Sequence, residues 1–323
     1  MFDMFSINSS LKITLLFLFL LFSGISSGDK VKGDASSDTI FVACTPGDPL
    51  IKSLLNIPAE TKVDFIRWHL TLTNAGSEIN HFMLNIGFGE SKPNTQDFKE
   101  GGDKLSFEGE YSVFQAVNWE LKGTIYQFKS NNNPGISFSI VKLNENLFQL
   151  LTPDHHLMVG NGGWSYTLNR KEPVIPASGD LPSLTLASTL INDTVLQVIF
   201  DGRTPCREFA KEYNLSIADG CFKMKWSLTL NRDPKTFLPT TYQINRTNSR
   251  GNLIQGKWTV IKGTSSNSGL VIYQLDPDKP EKSLSFLAGD KNVLFFLTRT
   301  RELFTGNEEF SFTLNRRKKV ENL

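Results

Sequence analysis

Apolar residues occupy every second position in Trp226-Ser-Leu-Thr-Leu and in Phe310-Ser-Phe-Thr-Leu, with Ser and Thr between them. A period of two predicts strands with one buried face and one wet face. Leu147 to Leu151 and Val293 to Leu297 are instead close to continuously apolar, as strands covered on both faces would be. One helix is predicted in each half of the chain. Asp48-Pro-Leu-Ile-Lys-Ser-Leu-Leu puts Leu50, Ile51, Leu54 and Leu55 on one side, and Asp48 with Pro49 suits a helix start. Arg207 to Tyr213 takes the corresponding place in the second half.

The pattern occurs twice. Asn146 to Arg170 aligns without gaps on Asn292 to Arg316, with eleven of 25 pairs identical and six others exchanging one apolar or aromatic residue for another. Upstream, Trp68-His-Leu-Thr-Leu matches Trp226-Ser-Leu-Thr-Leu, and Trp119-Glu-Leu-Lys-Gly-Thr matches Trp258-Thr-Val-Ile-Lys-Gly-Thr. Further back, Ile40-Phe41 and Thr45-Pro46 match Ile199-Phe200 and Thr204-Pro205. A repeat this long means two complete domains, since solenoid repeats run to a few tens of residues. Each module reads as a strand, a short helix and six to eight antiparallel strands. Closing them into a small barrel leaves no open edge. The predicted fold class is therefore mainly β: two tandem small antiparallel β-barrels, each with one short helix.

The boundaries follow from composition. Lys12 and the apolar run Leu15 to Phe22, followed by small residues through Gly28, read as a secretory signal over residues 1–28. The run is too short for a stable membrane span, which needs about 20 residues. The first module is placed at 38–172 and the second at 195–317. Between them, residues 173–194 carry Pro173, Pro176 and Pro182 and read as a linker, although Ser183 to Leu190 alternates and offers an extra strand. Residues 318–323 form a basic tail. The expected location is periplasmic or extracellular, soluble after signal cleavage.

A net charge of +1 argues against nucleic acid as a partner. Its one dense basic cluster, Arg316 to Lys319, reads as a solvated terminus. Cys206 and Cys221 bracket the second helix, and the matching places in module one hold Gly47 and Val63. Joint absence is what a bonded pair predicts, and an exported chain meets an oxidising compartment, so a Cys206–Cys221 disulfide is expected. Cys44 is then unpaired, as a buried thiol or a point of cross-linking between chains.

Candidate chemistry is sparse. His155 and His156 are the candidate metal ligands, since adjacent imidazoles suit copper or zinc. Their counterparts are Arg301 and Glu302, which instead suits a hairpin turn. Gly160-Asn-Gly-Gly163 resembles a phosphate-cradling loop but leads into a strand, and a turn requiring positive φ accounts for it. No nucleophile elbow, zinc-protease helix or P-loop occurs, and no cofactor is expected.

The motifs Phe200-Asp-Gly-Arg-Thr-Pro-Cys206, Cys221, Lys225-Trp226-Ser-Leu-Thr-Leu, Pro239-Thr-Thr-Tyr242, Gly256-Lys-Trp258, Tyr273-Gln-Leu-Asp276 and Phe310-Ser-Phe-Thr-Leu-Asn-Arg316 resemble an uncharacterised family of exported Bacteroidota proteins. In outline they are also similar to the NlpE-like copper-resistance and envelope-stress lipoproteins, where a Pro-Cys loop precedes strands and a Gly-x-Trp strand opens the second half of a lipocalin-like barrel. That resemblance implies a barrel. It carries copper handling less well, because no Cys-x-x-Cys follows the Pro and no lipid-anchor Cys follows the signal.

The expected function is a non-catalytic envelope or secreted protein that binds an apolar small molecule or an envelope protein through a barrel module. Metal handling or envelope-stress sensing is the alternative, and an enzyme acting on envelope polymers the third. Where the copies diverge, chiefly in the longer Asn74 to Val117 segment of module one, a specialised site is expected.

Overall fold

The computed structural model describes residues 38–73, 80–93, 95–117, 121–175, 185–186, 194–246, 253–262 and 269–318. The signal segment lies outside the described residues, as do Trp119 and most of the 173–194 segment. No helix among the described residues is long and apolar enough to cross a membrane.

Two closed eight-stranded antiparallel barrels account for almost all regular structure. In the first, β1 (Thr39–Pro46), β2 (Phe65–Thr73), β3 (Asn80–Gly89), β4 (Asp103–Val117), β5 (Leu121–Ser130), β6 (Ser137–Asn144), β7 (Leu147–Leu151) and β8 (Thr167–Arg170) pair in order, and β8 returns to β1. A two-residue strand, β9 (Thr185–Leu186), pairs with the start of β5, so an extra strand does form within 183–190. The second barrel runs through β10 (Gln197–Pro205), β11 (Lys223–Arg232), β12 (Pro239–Arg246), β13 (Ile254–Lys262), β14 (Val271–Leu275), β15 (Ser285–Ala288), β16 (Val293–Leu297) and β17 (Thr313–Arg316). Each has one helix between its first two strands, α1 (Pro49–Leu54) and α2 (Cys206–Glu212).

Aromatic side chains pack inside both barrels. Eight strands enclose a space that side chains can fill. In barrel one Phe128 stacks on Phe138 at 4.6 Å and meets Phe82 edge-on at 5.1 Å, while Trp68 closes on Phe138. In barrel two Trp226 lies 4.9 Å from Phe209 and 5.0 Å from Phe296. Each tryptophan satisfies its indole N–H by donating to a threonine hydroxyl on the neighbouring strand, Trp68 to Thr45 and Trp226 to Thr204, both at 2.9 Å.

Strand register corrects one part of the repeat. Phe82 pairs with Gly109 as Tyr242 pairs with Gly256, so β4 corresponds to β13 and Trp258 to Tyr111, not to Trp119. The shared Lys-Gly-Thr had drawn the alignment across a hairpin. The helix also differs from expectation at Leu50, which is 41% exposed while Ile51 and Leu55 are fully buried. A six-residue helix shows the barrel only one i, i+4 stripe, and Leu50 sits a step around from it.

The two barrels join through β7–β8 of one and β16–β17 of the other, around an approximate two-fold axis. Ser165 meets Ser311 at 2.5 Å and Thr167 meets Thr313 at 2.7 Å, each residue bonding its own counterpart. Gly160 N–H donates to Asn315 Oδ1 and Gly306 N–H to Asn169 Oδ1, both at 2.7 Å. The polar face of β17, read as wet, is therefore buried: Ser311, Thr313 and Asn315 are 6%, 2% and 1% exposed. The seam also explains why β7 and β16 are apolar throughout, since their outer residues Leu147, Leu151, Val293, Phe295 and Leu297 belong to one shared apolar cluster.

Candidate functional site

The divergence between modules concentrates in the connection from the third to the fourth strand. Thirteen residues, 90–102, link β3 to β4, against seven, 247–253, between β12 and β13. The longer connection folds back over the outer face of barrel one. A Cβ built on Gly87 would approach the Phe98 ring, and one on Gly102 would collide with it, so glycine permits the loop to lie this close. Gly102 also adopts φ +68, where glycine is favoured.

Under that loop runs a groove of about 520 Å³. Its floor comes from the outward positions of three adjacent strands, Arg67 and His69 on β2, Asn85 and Gly87 on β3 and Lys104 on β4; Phe98 forms a wall. Its volume falls within the range of ordinary ligand sites. Arg67 Nε and His69 Nδ1 are buried and without a hydrogen-bond partner among the described residues. Asn85 accepts from Ser106 Oγ at 2.9 Å, which holds its amide in place.

The inner end of the groove is anchored on the second barrel. Arg67 donates from Nη2 to Gln96 O at 2.8 Å and to Glu309 Oε1 at 2.9 Å, and lies over the Phe98 ring at 5.5 Å. Phe98 stacks on Phe65, Phe65 on Trp164, and Arg203 covers the far face of Trp164. One column of rings, closed by an arginine at each end, thus runs from the loop into the seam. Cys44 is buried here, its thiol donating to Glu309 Oε2 at 3.7 Å. Burial pushes the Cys44 thiol far up and Glu309 adds to this, so the sulfur stays protonated and unreactive. Burial is the largest single influence on Arg67 and would lower it, but Glu309, Cys44 and Glu308 together outweigh it and push its pKa up. For Glu309 burial wins, and its carboxyl titrates above the usual range although Arg67 opposes the shift.

No family model, curated protein or solved structure matches the chain. The resemblance noted above rests on its quoted motifs, and the functional reading rests on geometry.

The other candidate residues take these places. Cys206 and Cys221 are bonded, with Cα atoms 5.9 Å apart. In module one a Cβ built on Gly47 would fall against Val63, so the valine occupies the space of the missing bridge. His155 sits at φ +62 in the turn after β7, and Arg301 at φ +66 in its twin, which is the same turn built twice. The His155 ring lies 6.4 Å from Phe114, and His156 acts electrostatically on the buried Asp290 of barrel two. Among the described residues no three His, Cys, Asp or Glu side chains gather as a metal ligand set. Gly160 does not have positive φ; a Cβ there would strike Trp164 O and Ser165 Cα, so close backbone approach is what requires glycine. Sequence reasoning missed Arg67, Phe98 and Glu309. Their signal was faint but present: Phe98 lies in a stretch without a counterpart, and Glu309 replaces Gly163.

Proposed function

We propose that this is a non-catalytic exported protein that binds another protein of the cell envelope in the groove under the 90–102 loop. The observation that carries the reading is a groove built on one copy of the duplicated module by a segment the other copy lacks. Aromatic packing inside both barrels supports an external site over an apolar molecule carried inside. The groove mixes one aromatic wall with Lys104, the Asn85 amide and the Asp97 carboxyl group, which suits a polypeptide segment with polar side chains. The Cys206–Cys221 bridge agrees with an oxidising compartment, and the segment 1–28 supplies the export signal in this reading.

Protein purified from its own host, after mild formaldehyde cross-linking of intact cells, tests it. A discrete adduct with a host polypeptide is expected, and native mass spectrometry of the uncross-linked chain should give the bare polypeptide mass. A stoichiometric apolar small molecule released on denaturation would overturn the proposal.

A further inference from the structure

A second cavity, of about 320 Å³, opens at the barrel junction beside the two-fold seam. It is lined by the Gly160-Asn161-Gly162 turn of module one and by Asn315 and Lys318 at the end of module two. Asn315 is 1% exposed. Its orientation is fixed, because Gly160 N–H requires an oxygen acceptor and takes Oδ1 at 2.7 Å. The other terminal atom is therefore the amide nitrogen Nδ2, and it has no hydrogen-bond partner among the described residues. A buried donor left in this state is costly, and native interfaces normally satisfy it.

The duplication supplies an internal control. Across the axis, Asn169 accepts from Gly306 N–H in the same way, and its Nδ2 donates to Asn307 O at 3.0 Å. The two sides also differ in where their charges lie. Gly162 corresponds to Glu308 and Lys318 to Glu172, so at these places the side with the unpartnered amide has gained a lysine and lacks two carboxylates, while Asp48 and Asp201 stand where the twin has Arg207 and Val42. Asp201, one of the two acids lining the cavity, is paired with Arg317 through bonds of 2.6 and 2.8 Å. Asp48 is held by Ile51 N–H and the Tyr166 hydroxyl.

We infer that this cavity is a binding site for a carboxylate group, one oxygen taking the Asn315 amide and the charge facing Lys318. With the Asp48 carboxyl group on the rim, a monoanion fits better than a phosphate dianion. The site stands independently of the groove on barrel one.

The test is an NMR titration of the full chain with sodium acetate at constant ionic strength, chloride serving as the control. The Asn315 side-chain amide is assigned by its disappearance in Asn315→Asp. Its resonance should move saturably with acetate and not with chloride. Gly162→Glu and Lys318→Glu each import the twin's residue at an exposed turn or terminus, and each should weaken the titration at least tenfold. Failure to saturate, an equal response to chloride, or titrations in both variants identical to the wild type's would overturn the inference.

Discussion

The start of the helix is built by different chemistry in the two barrels. In barrel one Asp48 caps α1, accepting from Ile51 N–H at 3.1 Å, and Tyr166 donates its hydroxyl to the second carboxylate oxygen. Barrel two has Arg207 and Phe312 at those places and no side-chain cap, and the start of α2 is pinned by the Cys206–Cys221 bridge. A polar clamp and a covalent one do the same structural job. The 90–102 loop is different in kind, because barrel two closes with a shorter connection, so the extra residues answer no structural need the copies share. Differences that compensate one another maintain the fold. The uncompensated one points to function.

The shared features should give equal effects and the divergent ones unequal effects. Trp68→Ala and Trp226→Ala remove the same ring and the same bond to threonine, and each should cost about 3–5 kcal/mol in urea unfolding. A difference of more than about 1 kcal/mol between them would mean the two cores are not equivalent. Removing the bridge with Cys206→Ala and Cys221→Ala should cost about 3 kcal/mol. Removing the polar clamp with Asp48→Ala should cost about 1–2 kcal/mol, so the bridge is the stronger device.

The seam offers a finer comparison. Thr167 donates to Gln149 Oε1 at 2.7 Å, so the Thr167–Thr313 bond must take its proton from Thr313. Gln149 has Phe295 as its counterpart, and Thr313 has no such acceptor of its own. Thr167→Val strands two buried groups and should cost about 1–3 kcal/mol; Thr313→Val should cost only about 0.5–1.5 kcal/mol. Equal losses would show that the axis is not wired in this direction.

The smallest effect concerns Glu309. Its carboxyl is raised in the folded chain by burial, so protonated Glu309 favours the folded state, and this contribution is lost as pH rises through the ordinary carboxylate range to the folded value. The stability of the wild type relative to Glu309→Gln should therefore fall as pH rises from about 4 upward and then level off. A relative stability that rises over this range would mean that Arg67 outweighs burial.

Much of this architecture was legible in the chain. Alternation at Trp226 to Leu230, the apolar runs at Leu147 and Val293 and the paired loss of two cysteines each reflect a constraint carried by neighbouring residues. The seam was not legible, because Ser311, Thr313 and Asn315 have the same small polar side chains whether they face water or another barrel. Only their near two-fold pairing distinguishes the cases, and that pairing spans 146 residues. The groove was half legible: the divergent segment at 74–117 marked the region, while Arg67 and Glu309 meet only through the fold across 242 residues.

Asn85 and Asn245 occupy the same register position in the two barrels, paired with His69 and Ser227. Asn85 lies in the groove. A photoreactive amino acid placed at each position in turn, in the full chain and in its own host, tests the assignment of binding to one copy most directly. An adduct with a discrete polypeptide is expected from position 85, reduced severalfold by Phe98→Ala, with little or none from position 245. Equal adducts from both positions, or adducts indifferent to Phe98, would contradict it.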